Sequence, residues 1–468
     1  MQYRSTRGLA PALGFSDVLM AGLASDGGLY VPESWPQVTP EAIAGFRGRP
    51  YADVAFDIIK PFVGGEISDA DLRRMCRTAY STFRDKSVAP LRKLAPDRYV
   101  LELFHGPTLA FKDVAMQLLA QLMDHVLAKR GVRRTIVGAT SGDTGAAAME
   151  AFRGRANVDI FILFPEGRVS PFQQRQMTTV GADNVHPIAI AGTFDDCQAI
   201  VKGLFGDAKF REESGLSGVN SINWARILGQ IVYYFTAAAA LGTPATTVDF
   251  SVPTGNFGDI FAGYAAKRMG LGIGKLVIAT NVNDILARTL TTGRYDVRRV
   301  TATTSPSMDI QVSSNFERLL FEAYGGDAEA VRRLMDNLAR GGAFAIEAEP
   351  LAAIRADFEA GRADEKEVAE TIAATWKETG FLADPHTAVG LAVAARFARA
   401  GVPMVTLATA HPAKFPAAVM AAAGTEPQLP PGFGDILTRP ERLVTLANDR
   451  QAVEDHIRAV SRATAEKV

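Results

Sequence analysis

The stretch VDFSVPTGNFGDIFAGYAAKRM, residues 248–269, decides the fold. Its opening Val248–Pro253 is short and apolar enough for a buried strand. Two glycines, Gly255 and Gly258, then break the run, and an Ala-rich helical pattern follows over 260–269. A second strand-like run occupies 275–280. Strand, Gly-bearing turn, helix and strand in this order form a βαβ unit, whose two strands run parallel.

The same alternation recurs on either side. A β-rich run at 133–138 leads through a Gly-rich loop into an Ala-rich helix at 144–152. Strands are expected at 158–164, closed by Pro165, Glu166 and Gly167, and at Val185–Ala191. Asp195 or Asp196 is placed to cap a helix running to Phe205. A late strand, Met404–Ala408, precedes a helix ending near Gly424. Such alternation predicts parallel α/β sheets with both faces covered. The first ninety or so residues read as a small helical N-terminal region, and 315–380, rich in Glu, Arg and Ala, as a helical insertion. The tail after Pro440 reads as a charged helical segment. The expected division is 1–95, 96–215, 216–430 and 431–468.

Composition narrows the class. The 468 residues are 47% apolar and 22% charged, the profile of a globular protein with more than one core. Fifty basic residues against fifty-one acidic ones leave a net charge of −1, which predicts neither a nucleic-acid nor an anionic-membrane partner. No apolar run is long enough to span a bilayer, and the N-terminus lacks the apolar core of a secretory signal, so a cytoplasmic protein is expected. Cys76 and Cys197 make no metal-type spacing and read as reduced thiols. The six histidines form no metal-binding pattern, so no metal is expected.

Three segments carry chemistry. Residues 104–113 read FHGPTLAFKD, and Lys112 opens a helix whose apolar positions Ala115, Leu118, Leu122 and Val126 recur at helical spacing. A cation at a helix N-terminus faces the positive end of the macrodipole, which favours the neutral amine that forms Schiff bases. Alone, a lysine in a first turn is an ordinary solvated side chain; the apolar approach to it argues against an open surface. Gly255, Asn256, Phe257, Gly258 and Asp259 follow a strand and open a helix, where backbone N–H groups converge on one anion. No Gly-Lys-Ser/Thr follows, so this is not a nucleotide P-loop, and a small cofactor phosphate suits it better. A second such loop, Ser141, Gly142, Asp143 and Thr144, can bind a substrate carboxylate, or be a plain helix start capped by Ser141 or Asp143.

Together these segments resemble the threonine synthases of the bacterial and fungal branch. The resemblance rests on FHGPTLAFKD (104–113), SGDTG (141–145), GNFGD (255–259) and TAHPAKF (409–415). It extends to STRG (5–8), SDGGLY (25–30), SIN (221–223) with Arg226, and SMDI (307–310), all in the family's order. It implies fold type II of the pyridoxal-phosphate enzymes, similar to the tryptophan synthase β-subunit: two parallel or mixed α/β domains plus the small N-terminal region.

By that resemblance Lys112 carries pyridoxal 5'-phosphate, residues 255–259 surround its phosphate, and Thr409 meets the pyridine nitrogen. Ser141, Gly142, Asp143 and Thr144 fall to the substrate. Many relatives have Asn where this chain has Asp143; an ionised carboxylate there would repel the cofactor's phenolate, so Asp143 either points elsewhere or is protonated. Asp259 is expected to face away from the phosphate and cap the helix from Ile260. His105, His386 and His411 are given structural roles at least as readily as catalytic ones. The implied reaction turns O-phospho-L-homoserine and water into L-threonine and phosphate, in a monomer or homodimer. The alternatives are a phospho-lyase releasing 2-oxobutyrate from the same substrate, and a catalytically silent ligand-binding homologue.

Overall fold

The computed structural model describes residues 1–465. The chain divides into two compact units, one of residues 1–18, 23–111 and 221–428, the other of 19–22, 112–220 and 429–468.

The larger unit is built on a six-stranded sheet. In order across it lie Phe358–Arg362, Ile273–Thr280, Val248–Pro253, Met404–Ala408, Arg98–Glu102 and Leu91–Ala95. All neighbours run parallel except the last pair, an antiparallel hairpin at one edge. Every residue of Val248–Pro253 and Met404–Ala408 is buried, as expected for central parallel strands covered on both faces. On one face Pro385–Phe397 packs Val389 and Val393 with Val100 and Val277. On the other, Gly258–Arg268 lies close to the sheet because Gly263 has no side chain. A Cβ there would stand 2.9 Å from Leu276 and 2.8 Å from Tyr234 of helix Trp224–Ala240.

Three expectations for this unit change. The N-terminal region is not purely helical, since Tyr3–Ser5 pairs antiparallel with Tyr30–Pro32. The region 315–380 is no mere insertion, because Phe358–Arg362 within it forms the edge strand beside Ile273–Thr280. That strand, FEAGR, contains no β-branched residue, and Gly361 is where a Cβ would come 2.8 Å from Val393. Packing selected its residues, so strand propensity did not reveal it. The hairpin Leu91–Ala95/Arg98–Glu102 was hidden by its charged edge residues Arg92, Lys93 and Arg98.

The smaller unit holds a five-stranded parallel sheet ordered Val444–Ala447, Val185–Ala191, Val158–Pro165, Arg134–Ala139 and Leu216–Ser217. Its core joins Val137, Phe161 and Ile188 to Cys197, Ile200 and Leu204 of helix Phe194–Gly206. That helix is capped by Thr193, which forms a capping box with Asp196. Asp196 therefore acts from the third helical position rather than as the cap itself. The tail is more than a helix: Val444–Ala447 adds a strand, and Arg450–Val460 contributes Val453 and Ile457 to the core. Helix Lys112–Arg130 buries Ala115, Leu118, Leu122 and Val126 as expected, but also Val114, Met116 and Leu119 on its other faces. Cys76 and Cys197 are both buried and unbridged.

Candidate active site

In the larger unit the strands Val248–Pro253 and Met404–Ala408 are parallel neighbours, with Ser251 opposite Thr406. Their carboxyl ends therefore share one edge of the sheet, the edge at which α/β sheets gather ligands. The loop 254–258 leaves the first strand there and Thr409 leaves the second.

The 254–258 loop enters helix Gly258–Arg268 through Phe257, which holds φ +64° and offers no side-chain cap. Among the described residues, no acceptor takes the N–H groups of Gly255, Asn256, Phe257 or Gly258. A Cβ on Gly255 would lie 2.7 Å from the Ser307 carbonyl oxygen, so only glycine fits there. Asp259 does face away from the loop, but it does not cap the helix. Its Oδ1 accepts the hydroxyls of Tyr233 and Tyr234, the latter at 3.2 Å. Burial, reinforced by the Asp259 charge, holds both phenols well above their ordinary pKa.

Thr409 is 5% exposed, and its hydroxyl makes no hydrogen bond with the described residues. Its carbonyl accepts the Phe111 N–H at 2.8 Å, and His411 N–H donates to the Leu109 carbonyl at 3.0 Å. The Gly-Pro segment leading to Lys112 is thus pinned alongside residues 409–411, with Lys414 Nζ donating to the Thr108 carbonyl at 2.7 Å. The histidines of these motifs are engaged locally. His105 Nε2 lies 2.8 Å from Glu102, and His411 Nδ1 accepts the Ala413 N–H. Burial, with the Arg84 charge second, pushes His411 down to about 4. His386 Nδ1 lies 2.7 Å from Asp384, while its Nε2 accepts the Ser307 N–H.

The smaller unit carries Lys112 and the second loop. Lys112 begins its helix and is 8% exposed, so the apolar approach does lead to a buried amine. Asp143 Oδ2 stands 3.6 Å from Lys112 Nζ, and Asp143 Oδ1 accepts from Gln173 Nε2 at 2.8 Å. Gln173 sits in the first turn of Pro171–Thr178, where Ser170 caps the helix and also donates to Gln173 Oε1. The Ser170-Pro171 helix start is legible in the sequence, but nothing there ties Gln173 to Asp143.

Neither Ser141 nor Asp143 caps helix Asp143–Phe152. Gly142 does so at φ +147°, with Gln173 atoms 2.6 Å from where its Cβ would be. Thr140 Oγ1 accepts the N–H groups of Gly142 and Gly145 at 3.0 and 2.9 Å. Among the described residues the N–H groups of Ser141 and Thr144 meet no acceptor. No three His, Cys, Asp or Glu side chains among the described residues are grouped to hold a metal ion, and no described helix is long and apolar enough to cross a membrane.

The larger unit thus offers a Gly-bearing turn with four open amides, a donor set suited to an anion, and the smaller unit a buried amine at a helix start. Known proteins identify the cofactor. Residues 89–356 match the family model for pyridoxal-phosphate dependent enzymes. Residues 2–80 match the threonine synthase N terminus and 387–457 the threonine synthase C-terminal region. The threonine synthase of Pseudomonas aeruginosa is 54% identical over 97% of both chains. A crystal structure of threonine synthase from Brucella melitensis with bound pyridoxal phosphate superimposes with TM-score 0.98 at 62% identity, covering 99% of this chain and 100% of that one. The yeast enzyme gives 0.94 at 40% identity, over 99% of each chain. This chain is a fold-type II enzyme that uses pyridoxal phosphate. Within that class it belongs to the threonine synthase family, the carbon–oxygen lyases that complete threonine biosynthesis.

Proposed function

We propose that the chain converts O-phospho-L-homoserine and water into L-threonine and phosphate, with Lys112 as its catalytic base and the residue that carries the cofactor. The observation that carries this reading is the burial of Lys112 at a helix start in a chain of this family. Residues 255–259 hold the cofactor phosphate through backbone N–H groups, as helix N-termini hold anions. Asp259 contributes only its backbone, since Tyr233 and Tyr234 engage its carboxylate. Thr409 gives its hydroxyl to the pyridine nitrogen.

When bound, pyridoxal phosphate supplies a carbon that holds the substrate's amino group and a conjugated ring that spreads the electrons left at Cα. Lys112 Nζ takes the proton from Cα and moves the later protons at the neighbouring carbons; one positioned amine serves each transfer. The phosphate leaves from Cγ and water adds at Cβ. Ser141, Gly142, Asp143 and Thr144 bind the substrate, the open amides of Ser141 and Thr144 meeting its anionic groups. Asp143, held by Gln173, keeps the Lys112 amine oriented. The protein acts on this small molecule in the cytoplasm, as a monomer or homodimer, without nucleic-acid or membrane partners.

The test is product analysis with purified protein, pyridoxal phosphate and O-phosphohomoserine. Equimolar phosphate and threonine are expected. Phosphate with 2-oxobutyrate would instead make it a phospho-lyase, and no turnover would make it a silent homologue.

A further inference from the structure

The open amides of residues 255–258 raise a physical question: what holds them pointing one way before any anion arrives? A loop of four unpaired N–H groups is free to rotate its peptide planes unless the opposite sides of those planes are tied down. In a trans peptide the carbonyl of one residue and the N–H of the next lie in one plane and point in opposite directions. Whatever grips a carbonyl therefore aims the following N–H.

Two carbonyls of the loop are gripped, both by one segment. Ser313 Oγ donates to the Gly255 carbonyl at 2.6 Å, which directs the Asn256 N–H the other way. Asn315 donates twice to the Asn256 carbonyl, from its backbone N–H at 3.1 Å and its side-chain Nδ2 at 3.0 Å, which directs the Phe257 N–H. These grips are themselves fixed. The Ser313 N–H donates to the buried Tyr295 hydroxyl at 2.8 Å. Asn315 is fully buried, and its Oδ1 accepts from Arg318 Nη1, which settles which end of the amide faces the loop. Arg318, also fully buried, is locked by the Tyr30 carbonyl at 3.0 Å and the Ile222 carbonyl at 2.6 Å. A guanidinium that binds neutral acceptors in three directions behaves as a rigid anchor, because its fork geometry allows no rotation.

We propose that Ser313 and Asn315, the latter anchored by Arg318, are positioning residues that aim the Asn256 and Phe257 amides at the cofactor phosphate without touching the cofactor. The proposal rests on the reading of residues 255–259 given above. Preorganisation of this kind leaves the ligand less ordering to do on binding, so it shows in affinity for the phosphate group specifically.

Binding of pyridoxal phosphate and of pyridoxal, which lacks the phosphate, isolates that term. Dissociation constants of both are measured for wild type, Ser313→Ala, Asn315→Asp and Gly258→Val. Asn315→Asp preserves shape and the Arg318 contact while removing the Nδ2–H donor to the Asn256 and Ser221 carbonyls, and Ser313→Ala, which adds no charge, separates lost aim from repulsion of the phosphate. Affinity for pyridoxal phosphate is expected to fall about threefold in Ser313→Ala and about tenfold or more in Asn315→Asp, with pyridoxal affinity unchanged. If one variant does not fold, the other decides. Parallel losses for both ligands, or no loss for either, in a folded variant would overturn the proposal. Gly258→Val separates the two levels. If it keeps the wild-type preference for the phosphorylated ligand, the loop assignment fails and takes this inference with it. If it abolishes that preference while Ser313→Ala and Asn315→Asp retain it, only the positioning role fails.

Discussion

Two of the turns that carry a parallel strand into a helix across glycine begin with a threonine. In one, Thr254 Oγ1 donates back to the Val252 carbonyl of its own strand, and the amides that follow stay open. In the other, Thr140 Oγ1 turns forward and accepts the N–H groups of Gly142 and Gly145, closing much of its own loop. The side chains mirror this. The first loop's carboxylate, Asp259, is taken up by two tyrosines behind it, whereas the second loop's Asp143 Oδ2 lies 3.6 Å from Lys112 Nζ. Four successive amides stay open in the first turn, whereas in the second Thr140 takes two and those of Ser141 and Thr144 stay open beside the Asp143–Lys112 contact. A strand–glycine–helix pattern does not by itself say how many amides the turn leaves open; the direction of one hydroxyl does.

Lys112→Ala tests that contrast most severely. Loss of the amine should lower turnover by about three orders of magnitude or more, the range for removing a general base that also carries the cofactor. Circular dichroism should show the fold retained, and kcat from phosphate release is the measurement. Turnover within tenfold of wild type would remove Lys112 from the chemistry and leave the Lys112–Asp143 contact as structure only.

Gly258→Val comes next. Its Cβ would sit 3.3 Å from Asn315 Nδ2 and 3.4 Å from Ile227, and the branched side chain would push the turn off the support behind it and disturb the open amides. Cofactor affinity by equilibrium dialysis should drop about a hundredfold, equivalent to about 2.7 kcal/mol. Unchanged retention would mean that the open amides of the first turn are not its anion site.

Thr140→Val probes the closed turn. Removing the hydroxyl leaves two buried N–H groups without their acceptor, which should cost about 1–3 kcal/mol of stability. Thermal unfolding should register that loss, and KM for O-phosphohomoserine should rise more than the cofactor dissociation constant. Equal changes in both would show that the second turn serves cofactor and substrate alike.

The smallest effect is expected at Thr409. Replacement by Val removes one hydroxyl at nearly constant volume, so cofactor affinity should fall by about 1 kcal/mol, roughly fivefold. A spectrum and affinity identical to wild type would leave Thr409 as a strand-end residue whose backbone merely holds Phe111.

Much of this was legible in the residues. The buried strands Val248–Pro253, Val185–Ala191 and Met404–Ala408 match their expected bounds because short, mostly apolar runs bounded by turn residues have few other ways to bury themselves. Lys112 as a helix start was readable from the periodicity behind it. Among the strands that were missed, Phe358–Arg362 and Leu91–Ala95 lie at the two edges of the larger sheet, where one side of the strand has no partner to satisfy and charged or glycine residues are tolerated.

The sequence by itself therefore determined the class of fold, the cofactor family and the segments in which chemistry resides, since these follow from local pattern and long motifs. Tertiary structure alone decided which backbone amides are open, that Gln173 meets Asp143, and that Ser313, Asn315 and Arg318 stand behind the turn at Gly255. Those contacts join residues roughly thirty to sixty positions apart in the chain, as with Asp143–Gln173 and Gly255–Ser313. A hydrogen bond depends on angle and on a few tenths of an ångström, and only packing around buried groups fixes either.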